Sequence, residues 1–64
     1  MNENYYWMCK AMDLYGGSFV QSLADAMRAA DENNFERLVN AFPEYVTEYY
    51  DLGKKLKDEG IEKA

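Results

Sequence analysis

The chain has no histidine, one cysteine and one proline among its 64 residues. Without histidine it lacks the commonest general base, the commonest zinc ligand and the Ser–His and Cys–His nucleophile pairs. A single thiol, Cys9, excludes an intrachain disulfide. No EF-hand spacing or other metal motif is present, so neither cofactor, metal nor catalytic residues are expected. No apolar run approaches the about 18 residues of a membrane span. The start, MNENYYWMCK, has neither the basic head nor the apolar stretch of a secretory signal. With one unpaired cysteine, that makes the cytoplasm the expected location.

Basic charge is also scarce. Twelve acids against seven bases give a net charge of −5, which weighs against holding a nucleic-acid backbone. The distribution is uneven: residues 1–51 carry nine acids against Lys10, Arg28 and Arg37, whereas Lys54, Lys55, Lys57 and Lys63 crowd the tail. Apolar residues nevertheless make up 48% of the chain and aromatics 16%, a composition that folds. A domain this short buries only about 60% of its unfolded surface, so self-association is expected to complete it.

Helical periodicity runs throughout. Tyr5, Met8, Met12 and Tyr15 recur on one face, widened by Tyr6, Trp7 and Cys9, until Gly16-Gly17 breaks the pattern. Ser18 and Gln21 have capping-box spacing, and Phe19, Leu23, Met27 and Ala30 form the next stripe, with Val20 and Ala24 beside it. Ala24, Ala26, Ala29 and Ala30 keep that helix thin. Asn33 and Glu36 repeat the capping-box spacing before Phe35, Leu38, Val39 and Phe42. Pro43 ends that segment and suits the first turn of the next, whose stripe is Tyr45, Tyr49, Leu52 and Leu56. Gly53 weakens this helix by about 1 kcal/mol relative to alanine, Gly60 ends it, and residues 61–64 are expected to fray. The expectation is one all-α domain, a small bundle of three to four helices at about 3–15, 18–30, 34–42 and 43–59.

Tyr5, Tyr6, Trp7 and Met8 stand about 100° apart around a helix, so one small core does not take them all. Together with Tyr49 and Tyr50 they are the candidate interface, because Tyr, Trp and Met are enriched at such patches. Lys54, Lys55 and Lys57 are the one basic cluster. Beside tyrosines they form a candidate phosphate-binding group, the alternative being cations that favour a helix C-terminus. Glu44, Glu48 and Asp51 read as a solvated acidic face, and Cys9 as an inert buried thiol.

Residues 15–53 resemble small uncharacterised acidic helical proteins encoded by bacteriophages and prophages. The likeness rests on a Gly-Gly break (Tyr15, Gly16, Gly17), an "RAAD" turn (Ala29, Ala30, Asp31) and an "AFPEY" element (Ala41, Phe42, Pro43, Glu44, Tyr45). These elements are structural punctuation. The resemblance implies an origin and a class of proteins that act by binding: blocking host factors, sequestering signals or inhibiting defence complexes. The leading expectation is a non-enzymatic, self-associating protein that inhibits a host protein through an acidic and aromatic surface. The alternatives are an oligomeric sponge trapping a nucleotide-derived signal between subunits, and a small virion or assembly component.

Overall fold

A computed structural model of the chain describes residues 2–60. Local chemistry accounts for each helix end. Asn2 opens α1 (Glu3–Tyr15), its side-chain oxygen accepting the Tyr5 N–H at 3.0 Å. The chain turns at Gly16, whose N–H donates to the Met12 carbonyl. In α2 (Ser18–Ala29) the expected Ser18–Gln21 capping box does not form. Gly17 is the cap, and Gln21 Nε2 donates instead to the Gly16 carbonyl at 3.0 Å and the Asp13 carbonyl at 3.5 Å. Carbonyls at the end of α1 lack helical partners, so they compete successfully for the glutamine amide.

The third helix, α3 (Glu32–Ala41), also starts differently from the Asn33–Glu36 expectation. Asp31 caps it, accepting the Asn34 N–H at 2.8 Å. Aspartate is as good a cap as asparagine and adds a charge that the helix dipole favours. Phe42 joins α3 to α4 (Pro43–Glu59), with proline in the first turn. Gly53 does not interrupt α4. Gly60 ends it in the left-handed conformation at φ 68°, its N–H donating to the Leu56 and Lys57 carbonyls. The expected fraying of residues 61–64 lies outside the described residues.

The described residues are all-helical, with α1 in the middle. It packs most extensively on α4 and next on α2, while α3 touches α2 and α4 more lightly. Glu3 reaches Lys57 and Trp7 lies against Gly53, so α1 and α4 run antiparallel. Met8, Cys9, Ala11 and Met12 of α1 meet Val20, Leu23, Ala24 and Met27 of α2, and Tyr49 and Leu56 of α4 close the core. Burying each methionine or leucine side chain contributes about 1.5–3 kcal/mol. No residue of α3 is fully buried; Phe35, Leu38, Val39 and Phe42 are half-buried against the others. The radius of gyration, 10.9 Å, is near the about 10.7 Å expected for this length, so one chain reaches ordinary compactness. Among the described residues no helix is long and apolar enough to cross a membrane.

Candidate interaction surface

The first of the aromatic clusters singled out by sequence divides between core and surface. Met8 is completely buried and Tyr49 nearly so, which removes both as anchors in the folded chain. The cause is the helix crossing: Met8 sits opposite Gly53, where α4 lies directly on α1. Tyr5 and Tyr50 come together, half-buried, with ring centroids 5.7 Å apart in an edge-on contact. Phe35 of α3 completes that group at 4.8 Å from the Tyr5 ring. Tyr6 points outward at 41% exposure, and its ring meets half-buried Trp7 edge-on.

The lysines have different partners within the fold. Lys57 Nζ is bound to Glu3 Oε1 at 2.6 Å, and this bond raises its pKa above the ordinary lysine value. Lys54 Nζ stands 5.6 Å from the centroid of the Tyr50 ring. Lys55 is exposed, next in sequence to Lys54 but about 100° further around the helix.

A second surface group holds three of the four exposed large hydrophobics among the described residues. Leu14, Tyr15 and Phe19 are 54%, 57% and 55% exposed. Tyr15 and Phe19 were expected in core stripes, and both belong to helix ends at the Gly16-Gly17 turn. The antiparallel register brings the end of α1 to the start of α4, so both residues lie where the helices finish and not at mid-bundle. Phe19 nevertheless has fixed neighbours: Phe42 at 5.7 Å and Tyr45 at 5.8 Å between ring centroids, with Phe42 and Tyr45 themselves 6.2 Å apart. Sequence did contain a signal for this end. Large apolar residues immediately flanking a glycine break sit at the rim of a bundle.

Ion pairing leaves an acidic surplus in place. Arg28 is held by two carboxylates, Asp13 on α1 and Asp25 on its own helix. The Asp13 bond raises its pKa above the usual guanidinium value. Arg28 and Lys57 are thus paired with Asp13, Asp25 and Glu3, while Glu32, Glu36, Glu44, Glu48 and Asp51 face solvent without an ion pair among the described residues, against exposed Arg37, Lys54 and Lys55.

Two concavities flank α3. One, of about 480 Å³, lies between the start of α1 and the α2–α3 turn, lined by Asn2, Tyr5, Met27, Arg28, Glu32 and Phe35. The other, about 610 Å³ and shallow, is a groove of Ala26, Ala29, Ala30, Leu38 and Ala41 with Arg37 at its side. Cys9 is enclosed, and burial pushes its thiol pKa up, which makes it a poor nucleophile. Among the described residues no three carboxylates or thiols converge as a metal ion requires. No family model, curated protein or solved structure matches the chain.

Proposed function

We propose that this chain is a non-enzymatic, self-associating binding protein that docks on a basic protein surface and blocks it. In the phage setting implied by the sequence resemblance, that partner is a host defence factor met in the cytoplasm. The observation that carries this reading is the unequal use of charge. Arg28 and Lys57 pair with Asp13, Asp25 and Glu3, and the exposed charges left without an ion pair among the described residues still favour carboxylates: Glu32, Glu36, Glu44, Glu48 and Asp51 outnumber Arg37, Lys54 and Lys55. Such a surface speeds encounter with a basic partner and loses that advantage as salt rises. For self-association the groove between α2 and α3 offers small side chains that permit close approach, with Arg37 at its side.

The test is capture from a lysate of the host at low and high ionic strength, with native mass spectrometry of the purified protein alongside. A basic partner retained at low salt, released by salt and inhibited in its own assay supports the reading. Capture of nothing that depends on salt overturns it.

A second reading, sequestration of a nucleotide-derived signal between subunits, draws on one observation. The Lys54 ammonium lies over Tyr50, whose neighbour is Tyr5, which sets a cation beside two rings. Extra mass retained by the native oligomer and released intact on denaturation would put that reading first.

A further inference from the structure

We propose that the bundle end at the Gly16-Gly17 turn, where Leu14, Tyr15 and Phe19 are exposed and Phe42 and Tyr45 pack against Phe19, anchors a protein interface. Its occupant is a foreign protein surface with an apolar centre ringed by lysine or arginine. The proposal deepens the binding reading above and rests on it.

Among the described residues, large hydrophobics more than about a third exposed are Tyr6, Leu14, Tyr15 and Phe19, and the last three stand at one end. Exposed large apolar side chains grouped at one end of a small chain, unlike ones scattered singly, mark interaction sites. One of these side chains, Phe19, already has packing neighbours within the chain. Phe19 is wedged against Phe42 and Tyr45, with centroids 5.7 and 5.8 Å away, so its ring loses little freedom on docking. Aromatic anchors held in this way are the residues that dominate interface energetics.

Charge identifies the occupant. Glu44 adjoins Tyr45 in sequence, and Glu48 stands one helical turn along from it; both are exposed without an ion pair among the described residues. A second copy docked face to face would set these carboxylates against each other, and a nucleic acid would set them against phosphates. Like charges across an interface reject both. A basic rim around an apolar patch fits the aromatic centre and its acidic border together.

The experiment places p-benzoylphenylalanine at position 19, and in a separate protein at position 55 on α4, for photo-crosslinking in host lysate. The expected result is a covalent adduct from position 19 with a basic protein. Its yield should fall about tenfold between about 50 mM and 500 mM salt, as expected for exposed charges. It should fall comparably in the Glu44→Gln/Glu48→Gln variant, and position 55 should not give it. Both glutamates are exposed, and circular dichroism of the variant checks that its fold is intact. An adduct of the chain with itself, or one indifferent to salt and to the glutamates, overturns the proposal. Salt-dependent adducts from position 55 alone overturn it while leaving the acidic-surface reading standing. No salt-dependent adduct from either position removes both.

Discussion

Gly53 of α4 lies against the backbone of Trp7 in α1, so close that a Cβ there would stand 2.6 Å from the Trp7 carbonyl carbon. The Met8 nitrogen and the Trp7 oxygen would each be 2.7 Å away. These are backbone atoms of a helix and cannot rotate aside. The contact sets the spacing of the two longest helices, and through it the burial of Met8 and Leu56.

Gly53→Ala is therefore expected to destabilise the protein, although alanine favours the helix by about 1 kcal/mol. Overpacking of this kind costs about 1–3 kcal/mol or more. In a domain of this size each 1 kcal/mol shifts Tm by about 4–8 °C. A thermal melt followed by circular dichroism checks it. Gly17→Asp is the matching control. A Cβ at Gly17 meets nothing within 4 Å, and no side chain caps α2, so the variant should melt no lower than the parent.

Arg28 is expected to tie α1 to α2 only modestly. Its bonds to Asp13 cross between the helices, but both side chains are more than a third exposed. Solvent screens such pairs, so Arg28→Ala or Asp13→Asn should each lower stability by about 1 kcal/mol or less. A double-mutant cycle by urea unfolding should return a coupling of the same order that shrinks as salt is added. Arg28→Ala should also strengthen salt-dependent partner capture, because it leaves two more carboxylates unpaired.

How far sequence carries is visible at particular residues. The breaks at Gly16-Gly17 and Pro43 were legible because glycine and proline act through the backbone locally. The caps of α2 and α3 were misplaced by spacing alone, since Gln21 answers to carbonyls of the preceding helix and Asp31 precedes the Asn33 pattern. Tyr15 and Phe19 fit periodic stripes, yet periodicity does not say how far a neighbouring helix extends. Gly53 read as a weakness because close approach is a property of two helices, not one. Lys54, Lys55 and Lys57 adjoin in sequence, and Tyr50 is simply one helical turn before Lys54, but Glu3, which binds Lys57, is brought from the other end of the chain by the fold.

Stability is expected to be level through neutral pH and to fall in alkali. Burial pushes the Cys9 thiol above its ordinary 9.0, so the unfolded chain ionises first. Between the unfolded and folded values the unfolded state holds fewer protons, and stability declines as pH rises. Lys57 acts with the same sign. Its bond to Glu3 raises its pKa above 10.5, so its contribution is complete below that value and is lost as pH climbs past it. Urea midpoints measured from neutral to strongly alkaline pH should show a decline beginning near the ordinary thiol range. In Cys9→Ala, where a small cavity lowers stability throughout, the decline should begin later.

Local opening should start at α3. That helix has no fully buried residue and packs more lightly than the α1–α4 pair, so little apolar contact opposes its release. Its half-buried Phe35, Leu38, Val39 and Phe42 would then face water, which limits opening to a minor population. Native-state hydrogen exchange should show amides of α3 exchanging through openings well below the global unfolding free energy, while those around Met8, Met12 and Leu56 exchange only with global unfolding. Equal protection across all four helices would mean that the bundle opens as one unit. A partner docked on Phe19 should slow α3 exchange, because Phe42 at the end of that helix lies directly behind the Phe19 ring.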